Sequence, residues 1–154
     1  MNDTVKVGAG SPCVPGTPLR GQVTAIRVLG AEHVAELEQV RQFFRNYAAW
    51  LGVDLSFQNF DEEMASLPGR YAAPEGRLFY ATVDGRGAGC VGIRLLSEGV
   101  CELKRLYVDP AFRGLGVGRD LALEAIRVAR RIGYRKILLD TLPAMRIAVK
   151  LYRE

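Results

Sequence analysis

The sequence predicts a mixed α/β domain with the element order β-α-α-β-β-β-α-β-α. Three observations carry this. Strand-like alternation and helix-like periodicity follow one another along the chain, with turn residues between them. The 154 residues, 49% hydrophobic and 25% charged, suit one domain with a sizeable core. A glycine-rich turn, Arg113-Gly114-Leu115-Gly116-Val117-Gly118, joins a strand-like run to a strongly periodic helix.

Residues 1–20 are rich in Gly, Pro, Ser and Thr without periodicity and read as a flexible tail ahead of a domain spanning 21–154. Gln22 to Val28 alternates as a half-buried strand does. From Ala31, the residues Val34, Leu37, Val40, Phe44, Tyr47 and Leu51 recur at helical spacing, and Gly52 stops that helix. Asp61 to Leu67 predicts a second, shorter helix ended by Pro68-Gly69. Leu78 to Val83 and Gly89 to Leu96 flank Asp84-Gly85-Arg86-Gly87 and read as a hairpin, with Cys101 to Val108 as the next strand. The helix after the glycine turn places Leu121, Ala125, Val128 and Ile132 on one stripe and ends at Gly133. Ile137 to Asp140 follows as a strand, and Pro143 opens a last helix.

The glycine turn is a ready anion site. Glycine lets backbone N–H groups approach a ligand, and a helix N-terminus adds partial positive charge. It is neither of two familiar phosphate loops. Counted from Gly114, the dinucleotide fingerprint needs a third glycine where Arg119 stands, and the chain has no Gly-Lys-Ser/Thr triplet. Charge agrees with a phosphate ligand: residues 104–154 carry 12 Lys/Arg against 5 Asp/Glu, whereas residues 1–103 carry 9 against 12. No nucleic-acid motif accompanies the basic half, and Arg127, Arg130, Arg131 and Arg135 read as a solvated helix face and its end. Three cysteines and one histidine show no metal or redox spacing, no apolar run is of membrane-spanning length, and the N-terminus has no secretory pattern. These features predict a cytoplasmic protein with no metal, nucleic-acid or membrane partner. Cys101 reads as a small packed residue rather than a nucleophile.

Arg113, Gly116 and Gly118 match the Arg/Gln-x-x-Gly-x-Gly/Ala signature of the GNAT superfamily of N-acetyltransferases. The stretch CELKRLYVDPAFRGLGVGRDLALEAIRVARRIGYRKILLDTLP resembles that family's coenzyme A motif. The resemblance covers roughly Gln22 to Glu154 and is strongest from Cys101 onward. It implies a central, mostly antiparallel, twisted sheet flanked by helices, and acetyl-CoA as co-substrate. Backbone amides of Gly114, Leu115, Gly116, Val117, Gly118 and Arg119 would hold the pyrophosphate, with Arg113 beside them. Main-chain groups of Leu106, Tyr107 and Val108 would hold the pantetheine arm. The implied reaction is direct acetyl transfer, in a ternary complex, to a primary amine of a small molecule or peptide.

That chemistry needs a base, an oxyanion donor and a proton for the departing thiolate. Glu102 is the base candidate: alternation along its strand puts Glu102, Lys104, Leu106 and Val108 on one face. An ion pair with Lys104 or Arg105 is the competing role for this carboxylate. Tyr152 matches the family's Leu-Tyr position, whose phenol protonates the leaving thiolate in many members, and a backbone amide near Leu106 would supply the oxyanion donor. Met145 stands where many members have asparagine. The acidic group Asp61, Glu62 and Glu63 suits either a cationic acceptor or a helix N-terminus. Phe57, Asn59, Phe60, Arg70 and Tyr71 fall in the region where the resemblance implies that the acceptor binds. The resemblance further implies two strands after the last helix that this chain does not reach, as if truncated at the C-terminus, and an unpaired edge that would favour a homodimer. A coenzyme-A-binding module without turnover is the alternative reading.

Overall fold

The computed structural model describes residues 25–52, 60–141 and 145–151. β1 (Ala25–Val28) leads to α1 (Val34–Leu51), then α2 (Phe60–Ala65) and a single 3-10 turn at Gly69–Tyr71. β2 (Arg77–Val83), β3 (Arg86–Ser97) and β4 (Val100–Val108) form a meander. A second 3-10 turn, Pro110–Phe112, precedes α3 (Val117–Ile132), β5 (Lys136–Thr141) and β6 (Met145–Lys150). The strands make one six-stranded sheet in chain order, antiparallel at every pair except β4–β5, where α3 forms the crossover. This is the mixed α/β architecture that the sequence predicts, with the mostly antiparallel sheet that the family resemblance implies.

The local causes are visible residue by residue. Asp84 and Gly85 both have positive φ, 51° and 78°, the geometry a two-residue hairpin loop needs to follow the twist of its strands. α1 closes on Gly52, whose left-handed conformation lets its N–H reach the carbonyls of Ala48 and Ala49. Its inner face carries Leu37, Val40, Phe43 and Phe44, all buried against Leu78, Tyr80, Cys90 and Tyr107. Val34, expected on that face, is exposed at the helix start. α3 closes on Gly133 in the same left-handed manner. It buries Val117, Leu121, Ala125 and Ala129 against the other sheet face, where Phe79, Val91, Ile93, Cys101 and Leu103 lie; Val128 and Ile132 are partly buried there. Each large apolar side chain so buried contributes about 1.5–3 kcal/mol.

The last element differs from expectation. Residues 145–150 form a strand, β6, not the helix that Pro143 was expected to open. β6 pairs antiparallel with all of β5, from Lys136↔Lys150 to Thr141↔Met145. The physical reason is the period: Met145, Ile147 and Val149 alternate with Arg146, Ala148 and Lys150, and two of the first three are β-branched. The tail 1–20 and Tyr152 lie outside the described residues, as do Phe57 and Asn59.

β4 carries two irregularities that shape one end of the sheet. Its pairing with β3 runs Cys90↔Tyr107 and then Gly92↔Lys104, so β4 holds one extra residue between those pairs. The bulge centres on Arg105, a non-glycine residue at φ 61°. Alternation therefore breaks there. Cys101 and Leu103 share the α3 face with Leu106 and Val108, while Arg105 and Tyr107 face α1 and α2. The expectation that Glu102 and Lys104 share a face with Leu106 and Val108 is corrected by this bulge. On its other side, β4 pairs with β5 only from Val100↔Lys136 to Leu103↔Leu139. Both strands run on past that point, so the sheet splits at Leu103.

Candidate functional site

The split leads to the glycine turn. From Lys104 to Val108, β4 has no ladder partner on its β5 side among the described residues, and Asp109 then turns the chain into Pro110–Phe112 with its carboxylate capping the N–H of Ala111 at 2.9 Å. Gly114 and Gly116 both adopt φ 85°, a conformation that would strain any side chain. Gly116 is the N-cap of α3, and no side chain takes the amides that open the helix from that position. A Cβ on Gly114 would meet nothing within 4 Å, whereas one on Gly118 would approach Val108 Cγ2 to 3.3 Å. The turn is thus open above Gly114 and closely packed on β4 at Gly118. Arg113 folds back over the end of β4: its Nε donates to the Val108 carbonyl at 2.9 Å, and its guanidinium lies 5.5 Å from the centre of the Tyr107 ring. Arg119, on the first turn of α3, is exposed.

On the α2 side of the sheet lies a charged cluster. Glu102 is 4% exposed and stands opposite Arg94 in the β3–β4 ladder; Arg94 Nε donates to its carboxylate at 3.1 Å. The ion pair shown for Glu102 is therefore cross-strand, to a residue that sequence spacing did not single out. Arg105 is engaged elsewhere. Its Nε and Nη2 donate to the two oxygens of Glu63 at 3.1 and 3.0 Å, and its guanidinium sits 5.5 Å from the Phe60 ring centre. The Tyr71 hydroxyl donates to the same Glu63 carboxylate at 2.9 Å. Burial pushes the Glu63 carboxyl up, but the hydrogen bond and charge of Arg105, with Tyr71 and Arg94, outweigh it and hold Glu63 below its ordinary value. Burial and the Glu63 charge drive the Tyr71 phenol well above its ordinary value, so it stays a donor. Burial raises the Cys101 thiol to about 12, which agrees with reading it as a packing residue.

Beside this cluster opens a cavity of about 250 Å³. α2 and the residue after it contribute Glu62, Glu63 and Ser66, the 3-10 turn and the proline before it contribute Pro68 to Tyr71, and β3 contributes Arg94. Arg94 thus faces the cavity and Glu102 at once.

Residues 35–154 match the Acetyltransferase (GNAT) family. The chain belongs to that family. An uncharacterized N-acetyltransferase of Schizosaccharomyces pombe is 38% identical over 120 residues, covering 77% of this chain and 74% of its own length. N-acetylaspartate synthetase of Rattus norvegicus is 34% identical over 92 residues, covering 58% of this chain and 31% of its own. Among solved structures, PaiA N-acetyltransferase of Thermoplasma acidophilum in complex with coenzyme A superimposes with a TM-score of 0.58 at 18% identity, covering 83% of this chain and 98% of that one. At that identity the likeness shows the fold.

As a GNAT member the protein is an acyl-CoA-dependent acetyltransferase. Within this GNAT fold, Leu106, Tyr107 and Val108 sit on the unpaired flank of β4, directly before the turn from Arg113 to Arg119. Glu102 lies immediately before the split, on the face that carries the cavity. Among the described residues there is no group of His, Cys, Asp and Glu able to hold a metal ion, and no helix long and apolar enough to cross a membrane. Arg94 and the Glu63–Arg105 pair were missed by sequence reasoning. Glu63 and Arg105 are 42 positions apart, and the positive φ at Arg105 leaves no local sequence signal.

Proposed function

We propose that this GNAT enzyme transfers an acetyl group from acetyl-CoA to a primary amine bound in the cavity beside Glu102. The observation that carries the proposal is the split between β4 and β5, which opens at Leu103 and ends at a helix start free of side-chain capping. A phosphate-bearing thioester laid along the unpaired flank of β4 would direct its pyrophosphate at the amides from Gly114 to Arg119. Its pantetheine arm would pair with the main chain of Leu106 to Val108, as an added strand pairs with an exposed ladder. The coenzyme A bound in the PaiA structure supports acetyl-CoA as the donor here.

The thioester carbonyl would then lie near the start of the split, close to Glu102. In this reading Glu102 takes a proton from the amine, a backbone amide near Leu106 stabilises the oxyanion, and Tyr152 protonates the departing thiolate. Calorimetric titration with acetyl-CoA tests the donor site. Gly116→Glu, checked by circular dichroism for a retained fold, places a carboxylate at the phosphate position. It should abolish measurable binding, whereas binding unchanged by that substitution would place the donor elsewhere.

A further inference from the structure

The cavity beside Glu102 presents balanced charge of an unusual kind. Its lining sets Glu62 and Glu63 against Arg70 and Arg94, two of each sign, with Glu102 paired to Arg94 and Arg105 paired to Glu63 behind them. Their commitments differ. Glu63 and Arg105 satisfy one another through two hydrogen bonds, with Tyr71 adding a third to Glu63, so that pair is closed to a ligand. Arg94 is held to Glu102 through its Nε alone, its side chain 17% exposed, and among the described residues no hydrogen bond occupies its two terminal nitrogens. Arg70 is tethered through one terminal nitrogen to the Leu95 carbonyl at 2.9 Å. Two arginines are thus oriented by the protein itself and still have donors to spend in one cavity of about 250 Å³. A guanidinium fork fixed at Nε matches a planar carboxylate.

We infer that the acceptor is an amine bearing its own carboxylate, an amino acid or a close analogue, bound with the carboxylate on Arg94 and Arg70 and the nitrogen toward Glu102. The inference rests on the acetyl-transfer reading above and specifies its substrate class. A zwitterion suits a site with equal numbers of each sign. A simple amine would leave both arginine forks facing an apolar group, which wastes the desolvation of the partly buried Arg94. In the reaction the amine enters as ammonium and gives one proton to Glu102. Its nitrogen forms a bond to the acetyl carbonyl carbon, the carbon–sulfur bond breaks with its electron pair on sulfur, and the nitrogen's second proton ends on that thiolate. The products are the N-acetyl amino acid, the free thiol, and a proton released from Glu102 to solvent.

The test is thiol release from acetyl-CoA with each L-amino acid and its decarboxylated counterpart, such as L-leucine with 3-methylbutylamine and L-lysine with cadaverine. At least one amino acid should be acetylated with kcat/KM about tenfold or more above its counterpart. Arg70→Gln, exposed and bonded among the described residues only to the Leu95 carbonyl, should raise KM for that amino acid about tenfold, leave KM for the counterpart within about twofold, and leave acetyl-CoA affinity unchanged, whereas Arg94→Gln, which also removes the ion-pair partner of Glu102, should raise KM for the amino acid likewise and lower kcat for both amines. Should Arg94→Gln fail to fold, Arg70→Gln carries the same comparison. Acetyl-CoA binding combined with equal use of both amines, or with turnover of carboxylate-free amines alone, overturns this inference and leaves acetyl transfer standing. Failure to bind acetyl-CoA overturns both.

Discussion

Arg105 occupies a conformation that costs a non-glycine residue about 1–2 kcal/mol, at φ 61° in the middle of a strand. What holds it there is specific. Its guanidinium lies 6.0 Å from the centre of the Phe44 ring and 5.5 Å from that of Phe60 and makes two bonds to Glu63, with the two side chains 4% and 12% exposed. Breaking one partner of such a pair leaves an uncompensated buried charge. Glu63→Gln should therefore cost about 3–5 kcal/mol at neutral pH, read from urea unfolding. The pH dependence has a definite sign. Glu63 titrates below its ordinary value when folded, so its contribution is present above the ordinary carboxylate value near 4.3 and is lost as pH falls through the folded value. The gap between parent and variant should close in acid. A gap that stays constant across that range would show that packing, not the charge of Glu63, holds the bulge.

Glycine at position 92 shows how an element is built around a neighbour. A Cβ there would fall 2.5 Å from a ring carbon of Tyr71, which is 1% exposed and lines the cavity. Gly92→Ala should force that ring aside. The expected loss is about 1–3 kcal/mol in stability, with a raised KM for the amine and unchanged acetyl-CoA affinity, measured by unfolding and steady-state kinetics. Normal values for both would mean that the 3-10 turn at Gly69–Tyr71 yields without consequence. The elements themselves were legible in the sequence where one period dominated: α1, the β2–β3 hairpin and α3 follow from Leu37 to Phe44, from Asp84-Gly85 and from the Leu121 stripe. The glycine turn was legible too, because Gly114, Gly116 and Gly118 are close in sequence and each has its own backbone or packing reason. What escaped depends on contacts distant in sequence. The bulge at Arg105 is held by Glu63, and the ion pair of Glu102 comes from β3; β6 is a different case, since the alternation of Met145, Ile147 and Val149 is present in the sequence but is outweighed there by the helix that Pro143 suggests.

Across the whole molecule, the charge asymmetry in the sequence acquires a direction from the fold. The excess of Lys/Arg lies in residues 104–154, and these residues supply the unpaired flank of β4, the glycine turn and α3. The cavity beside Glu102 is built from the preceding segment, by α2, the 3-10 turn and β3. One half of the chain would thus attract a polyphosphate while the other frames a small zwitterion with no net charge to steer. These two ligands should respond differently to salt. Attraction between a basic surface and several exposed phosphates is screened as the Debye length shrinks from about 10 Å at 0.1 M to about 3 Å at 1 M. A short bond from the partly buried Arg94 to a single carboxylate is screened much less. Raising sodium chloride from 0.05 to 0.5 M should therefore weaken acetyl-CoA binding about three- to tenfold by calorimetry while changing KM for the amino acid less than about twofold. Arg119→Glu, an exposed charge reversal on the first turn of α3, should lower the affinity at low salt and flatten its salt dependence. An equal response of both ligands to salt would place them in one common field and remove the division of labour between the two halves.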